Sequence, residues 1–265
     1  MISDEVLAMF ELSNDLLFGK IPESRYRYYV EESLRLGREA AGRVMAAGWA
    51  AAGESGGAAP GEFGGAKDIY DLYREAGIKI IYQEKSGKSY GVSFRAQSEY
   101  GKDGSAEVLI YRQSIAELAE HSREVLAPEG EGDGDGRASA ALAAAGADTG
   151  IDAEKALQVH LAHEYFHYLE DHSSEIKDER TMAYYGNGYV SDYLALVELT
   201  RIFGKKRKAG ILRCSEIAAH AFAKELTGLK ILPNFYDYTY LIAARSVSRE
   251  DFFRRVREYE MIFAK

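Results

Sequence analysis

The residues best placed to do chemistry stand together at His163-Glu164-Tyr165-Phe166-His167. An α-helix advances about 100° per residue, so positions four apart lie one turn apart on one face, and both imidazoles can reach a single metal ion. Glu164, next to the first histidine, would project beside that ion rather than onto it, where it could take a proton from a water the ion activates. Zinc suits the role because it lowers the pKa of a coordinated water from about 15.7 to about 7 and so supplies a nucleophile at neutral pH.

A catalytic zinc site uses three protein ligands and keeps a fourth position open, so a third ligand must come from elsewhere in the chain. Glu198 and Glu216 compete. Around Glu216 the small residues Ala218, Ala219 and Ala223 would let one helix approach another closely, and His220, one turn on, could support a ligand through a hydrogen bond. Glu198 sits among Leu194, Val197, Leu199 and Ile202, which read as an ordinary core stripe with one exposed acid. Glu216 is favoured and Glu198 stays a rival. His160 reads as packing or support, since three ligands from one helix fit poorly around a tetrahedral ion. The plain alternative is that His163 and His167 are surface or hydrogen-bonded core histidines on an amphipathic helix.

The elements that must position these groups follow from apolar spacing and from Gly and Pro punctuation. Helices are predicted over 23–52, 67–76, 114–126, 152–171, 189–203, 210–227 and 248–263, and strands over 78–82, 90–97 and 106–112. Gly77 sits where a helix ends in a left-handed residue. Gly101 and Asp103-Gly104 mark a hairpin connection between the second and third strands. The class is α+β: helix-rich, with a small, mainly antiparallel three-stranded sheet packed on the histidine helix. Residues 1–22 form an N-terminal segment ahead of a single domain over 23–265. Two Gly- and Ala-rich stretches, 53–65 and 128–150, read as a tether and an exposed insertion. Lys205-Lys206-Arg207-Lys208 reads as a solvated interhelical loop, Cys214 as packing, and Tyr26, Tyr28 and Tyr29 as a face covered by neighbouring elements.

Composition narrows the function. With 265 residues, 46% hydrophobic and 28% charged, the chain can bury a core, which argues against disorder and fibrous repeats. A formal charge of -9 disfavours contact with phosphate backbones, so no direct nucleic-acid binding is expected. The single cysteine rules out an intrachain disulfide. No apolar run is long enough to span a bilayer, and Met1-Ile2-Ser3-Asp4-Glu5 lacks the basic lead of a secretory signal, so the expected address is the cytoplasm and no membrane partner is expected.

Several stretches carry a resemblance. Asp68-Ile69-Tyr70 through Ala76-Gly77-Ile78-Lys79-Ile80 is similar to a short helix ending in Gly-Ile before a first strand. Ala162-His163-Glu164-Tyr165-Phe166-His167-Tyr168-Leu169, with His172, resembles an active-site helix and the histidine that commonly follows it. Glu216 with Phe222-Ala223 and Leu226 is similar to a third-ligand segment, with Pro233 as its trailing proline. Together they resemble the ImmA/IrrE family of intracellular zinc metallopeptidases. The resemblance implies a zincin-like fold with a thermolysin-like, gluzincin-like site: His163, His167 and Glu216 as zinc ligands and Glu164 as general base. It also implies a narrow protein substrate such as a transcriptional repressor, itself a DNA-binding protein. Ala218 and His220 depart from the family, which has a second acidic residue and an Asn or Asp there, and residues are inserted between Leu226 and Pro233.

Two classes follow. In one, the chain is a zinc endopeptidase whose extended substrate pairs with a sheet edge beside the metal helix. In the other, a catalytically silent zinc fold binds or senses a regulator and sequesters it. The retained Glu164 favours the first. A housekeeping peptidase of broad specificity is a third possibility.

Overall fold

The computed structural model describes residues 2–52, 68–85, 87–89, 92–101, 104–126, 150–172, 188–202 and 205–264. The stretch predicted as a tether, 53–65, and nearly all of the insertion at 128–150 lie outside them. The N-terminal segment, to which the sequence assigned no element, contains α1 (Asp4–Leu12), started by Ser3, whose hydroxyl accepts a bond from the Val6 amide. Every residue from Val6 to Leu12 is buried, so this helix is part of the core. Two short 3-10 turns, Phe18–Lys20 and Glu23–Arg25, lead into the long α2 (Tyr26–Ala52). Next comes α3 (Ile69–Glu75), opened by a capping box between Asp68 and Asp71 and followed by Gly77 at φ 69°.

Five short strands then alternate with turns: β1 (Lys79–Gln83), β2 (Gly87–Ser89), β3 (Val92–Phe94), β4 (Ala96–Tyr100) and β5 (Ala106–Tyr111). The sheet runs β1-β5-β4, with β5 parallel to β1 and antiparallel to β4; β2 and β3 make a separate antiparallel pair. The expectation of a mainly antiparallel sheet is therefore corrected to a mixed one. The reason lies in which strand can be buried. On β5, Ala106, Val108 and Ile110 are buried in strict alternation, so it takes the centre. The polar β4 keeps the edge, where Gln97 and Glu99 are exposed.

The chain continues through α4 (Arg112–Leu126), α5 (Ala153–Asp171), the single turn α6 (Val190–Tyr193), β6 (Val197–Ile202), β7 (Lys205–Ala209), α7 (Arg213–Thr227), α8 (Asn234–Ala243) and α9 (Arg249–Phe263). The helix predicted over 189–203 is not formed. After one turn the chain enters an antiparallel hairpin in which Glu198 lies opposite Lys208. Apolar Val197 and Leu199 alternate with polar Glu198 and Thr200, a period-two start that outweighs the helical spacing of Leu194 and Val197, and a bulge between Glu198 and Arg201 shifts the register before Ile202. The Lys205-Lys206-Arg207-Lys208 run is accordingly a strand and not an interhelical loop.

Helix α5 crosses the middle of the molecule, with buried residues on several sides, including Leu161, Ala162, Phe166 and Leu169. It packs against α7, α4, α3 and the face of the sheet. Tyr73 of α3 fixes one flank through a hydrogen bond from its hydroxyl to the Leu161 carbonyl at 2.8 Å. On the other flank Phe166 meets Phe222 of α7, ring centres 5.5 Å apart. Helix α7 is in turn held by α2, and here small residues decide the distance. A Cβ on Gly37 would fall 2.1 Å from the Ala218 carbonyl oxygen and 2.9 Å from Ala221 Cβ. Asp4 of α1 ties the same helices at their surface, accepting from Arg38 at 2.7 Å and from Lys224 at 2.6 Å. The tyrosines at the start of α2 are covered only in part: Tyr29 is fully buried with its hydroxyl on the Ala195 carbonyl at 2.6 Å and Tyr26 stacks on Phe18, but Tyr28 is exposed. Cys214 is buried too, and burial pushes its thiol up to about 12, which fits packing. No helix among the described residues is long and apolar enough to cross a membrane.

The contact at Gly37 generates a test. Gly37→Ala should destabilise the chain by about 1–3 kcal/mol, because a backbone carbonyl cannot move out of the way. Gly42→Ala, on the same helix and facing open space, should be neutral or stabilising by up to about 1 kcal/mol. Denaturant unfolding of the two variants side by side checks both; equal effects would mean that α2 and α7 do not meet as described.

Candidate metal centre

Glu216 occupies the first turn of α7, where the helix N-terminus favours a negative charge, and its side chain points at the histidine face of α5. His163 Nε2 stands 3.1 Å from His167 Nε2 and 3.3 Å from Glu216 Oε2, and His167 Nε2 is 3.7 Å from Glu216 Oε1. A tetrahedral zinc with bonds of roughly 2.0–2.1 Å keeps its ligand atoms about 3.4 Å apart, so the three side chains already have the spacing of a filled coordination shell. The structure thus brings together His163, His167 and Glu216 as a group able to hold a metal ion. Glu198 is not part of it: it is exposed on β6, opposite Lys208.

The electrostatics agree with a cation site. Two neutral imidazole nitrogens 3.1 Å apart repel unless a proton or a cation lies between them. Burial disfavours a charged His167, but its bond to Glu170 and the charge of Glu216 outweigh burial and raise its pKa to about 9. Burial likewise opposes charge on Glu216, yet its hydrogen bond with His163 and the charges of His163 and His167 hold its carboxyl well below the usual carboxylate range. Without metal the site carries a proton that a metal ion must displace.

Glu170 was not singled out from the sequence, although it lies three residues beyond His167 on the same helix face. It is fully buried, and its Oε2 accepts from His167 Nδ1 at 2.9 Å. That bond fixes the tautomer and leaves Nε2 turned toward Glu216. The other carboxylate oxygen accepts from the Val190 amide at 2.9 Å, so the start of α6 anchors the arrangement.

Ser98 is the second residue that sequence reasoning missed. Ala96 and Ser98 of β4 lie opposite Ile110 and Val108 of β5, so they share the sheet face turned to α5. The Ser98 hydroxyl donates to Glu164 Oε2 at 2.5 Å. The spacing signal placed Glu164 beside the metal; only the strand register shows what orients it.

A cavity of about 300 Å³ adjoins this centre, lined by His163, Glu164, Glu216 and His220 together with Arg95, Asp237, Glu11 and Arg213. Arg95 Nη1 meets Asp237 Oδ1 at 2.5 Å, and Arg213 Nη1 meets Glu11 Oε1 at 2.7 Å. His220 packs its ring 4.8 Å from that of His163, and its Nδ1 is buried without a hydrogen-bond partner. Burial, then the charge of His163, holds His220 well below its usual pKa, so it stays neutral and supports His163 by packing rather than by a hydrogen bond. His160 is also in the cavity wall; its Nδ1 bonds the Ala156 carbonyl, and burial together with Arg95 lowers it to about 4. His172 ends α5, stacked on Tyr168 with ring centres 4.2 Å apart, outside the metal group. Pro233 begins α8 and lines the cavity.

Comparison with protein-family models, with curated proteins and with solved structures returns no match to this chain.

Two measurements follow. Purified chain should take up about one divalent ion, Glu216→Ala should lose it and Glu198→Ala should keep it; Glu170→Gln should weaken binding about 10- to 100-fold. Because His167 holds a proton up to about pH 9 without metal, apparent affinity should rise about tenfold per pH unit toward that value and then level off. Competition with a chelator across pH reads both. Separately, burial raises the Glu11 carboxyl from 4.5 to about 7 despite Arg213 beside it. A raised acid binds its proton more tightly when folded, so its contribution is complete below about pH 4.5 and disappears as pH climbs to about 7. Urea unfolding of Glu11→Gln against the parent over that range should show the parent alone losing stability through this group.

Proposed function

We propose that this chain is a zinc-dependent peptidase with a zincin-like arrangement, acting on protein or peptide substrates in the cytoplasm. The observation that carries the reading is the triangle of His163, His167 and Glu216 ligand atoms at 3.1, 3.3 and 3.7 Å, with Glu164 held immediately beside it. His163 and His167 from α5 and Glu216 from α7 would hold the ion, with Glu170 orienting His167. When bound, zinc would polarise the scissile carbonyl and lower the pKa of water.

The remaining work falls to the chain's own groups. The carboxylate of Glu164 accepts the proton of the attacking water as its oxygen bonds to the carbonyl carbon. The same proton then passes to the amide nitrogen as the C–N bond breaks, the second proton of the water follows it to the freed amine, and a carboxylate and an ammonium group leave with Glu164 back in its starting state. Ser98 keeps one Glu164 oxygen in place, leaving the other for the water. The outer edge of β4 pairs with no strand among the described residues, and it runs alongside α5. An extended peptide could add there as a further strand, its backbone supplying affinity and side-chain pockets supplying selectivity. The resemblance to ImmA/IrrE peptidases supports a narrow regulatory substrate, a DNA-binding repressor being the class it suggests.

Glu164→Gln tests the reading. Zinc content and thermal midpoint should be unchanged, while cleavage of a quenched-fluorescent peptide library falls by a factor of about 100 to 10,000. Ser98→Ala should lower cleavage by a smaller factor. Undiminished cleavage in Glu164→Gln, or no zinc-dependent cleavage by the parent, would remove the peptidase assignment; in the second case a zinc fold that sequesters a regulator takes its place.

A further inference from the structure

The cavity beside the metal centre has a composition unlike an apolar side-chain pocket. Two ion pairs, Arg95 with Asp237 and Arg213 with Glu11, are part of its lining, and most of its other charged groups are already committed. Glu216 faces the histidines, Glu164 accepts from Ser98, and Glu11 accepts from Arg213. Asp237 Oδ1 lies 2.5 Å from Arg95 Nη1 as an ion pair without making a hydrogen bond.

Among the groups lining the cavity, buried atoms without a hydrogen bond remain on Arg95, Asp237 and His220, and of these three Arg95 is the cation. Its side chain is 13% exposed, lies in the cavity wall and stacks over Tyr240 with Cζ 5.2 Å from the ring centre. Its Nε is buried with no hydrogen-bond partner. Its Nε–Nη2 edge is the planar fork that matches a carboxylate with two parallel bonds. A buried donor without a partner is costly, and a site that leaves one open gains when a ligand supplies the acceptor. Arg95 also stands in the bend between β3 and β4, directly before the edge strand offered to a substrate backbone. A chain laid along β4 would carry its substituents past this guanidinium.

We infer that Arg95 is a specificity-determining residue that receives a carboxylate of the substrate, so that the preferred peptide presents an acidic group to this cavity. The inference rests on the peptidase reading for its geometry. The carboxylate could be an Asp or Glu side chain near the scissile bond or the free C-terminus of a peptide, and Asp237 sets how strongly Arg95 attracts it.

Binding without turnover separates this from the peptidase reading. Zinc-loaded Glu164→Gln protein would be titrated by calorimetry with acetyl-Ala-Ala-Glu-Ala-Ala-amide, with its Gln counterpart, and with the Gln peptide bearing a free C-terminus. One acidic form should bind about 10- to 100-fold tighter than the neutral peptide; which one does so identifies the source. Adding Arg95→Met should collapse that ratio to near one, Arg95→Lys should keep part of it, and Asp237→Asn should enlarge it by removing the competing anion. Because Arg95→Met strands Asp237, the double variant Arg95→Met with Asp237→Asn serves as its folded counterpart. Equal binding of all three peptides overturns the inference, as does a ratio that survives Arg95→Met, which would put the carboxylate on the zinc. Acid-selective binding through Arg95 with no cleavage by the parent chain would keep the inference and sink the peptidase reading. Cleavage indifferent to acidic residues would do the reverse.

Discussion

Two helices from distant parts of the sequence must cross closely enough for a short carboxylate on one to meet two imidazoles on the other. Everything at the centre follows from that distance. Helix α7 is pressed toward α5 by α2, and α2 can come close only because position 37 has no side chain and positions 218 and 221 carry only methyl groups. Packing of methyl-sized surfaces costs little entropy and leaves few adjustable parts, which is what a coordination shell with tolerances of a few tenths of an ångström requires.

Glu170 is fully buried, and a carboxylate removed from water is costly unless its oxygens are satisfied. Both are engaged here, by His167 and by the Val190 amide. The arrangement makes the ring orientation of a ligand depend on the backbone at residue 190, nineteen residues beyond the end of α5. The segment from Val190 to Ala209 thereby becomes part of the metal site without contributing a ligand. Its approach to α7 is visible at Ser191, whose amide donates to Ser215 Oγ at 3.4 Å.

What could be read from the sequence divides along physical lines. The i and i+4 histidines, the neighbouring acid and the small residues around Glu216 are local patterns with a fixed geometric meaning, and they led to the three groups that converge. Helices with clear caps, such as α3 and α9, were placed to within a few residues for the same reason. Strand order was not legible, because nothing local says that β5 is central or that β1 runs parallel to it. The strand β6 was read as a helix because Leu194 and Val197 have helical spacing, while the alternation that begins at Val197 is interrupted by a bulge before Ile202; pairing with β7 settles the choice. Ser98 and Arg95 were invisible for a further reason: their roles depend on register and on a bend, neither of which a residue type announces.

That bend explains how one strand can serve several purposes. In a regular strand Arg95 and Ala96 would face opposite sides of the sheet. The break between β3 and β4 cancels the alternation at this point, so Arg95, Ala96 and Phe94 all border one cavity. Two residues later the alternation has resumed, and Ser98 returns to the α5 side in reach of Glu164. The same five-residue edge therefore orients the proposed base, offers backbone groups to an extended chain and begins beside a guanidinium whose Nε has no hydrogen-bond partner. A chain that pairs with this edge has its register set by hydrogen bonds, and register fixes which of its residues meets the base and which meets the arginine. Selectivity and positioning are on this account one constraint, imposed by the edge strand rather than by the metal.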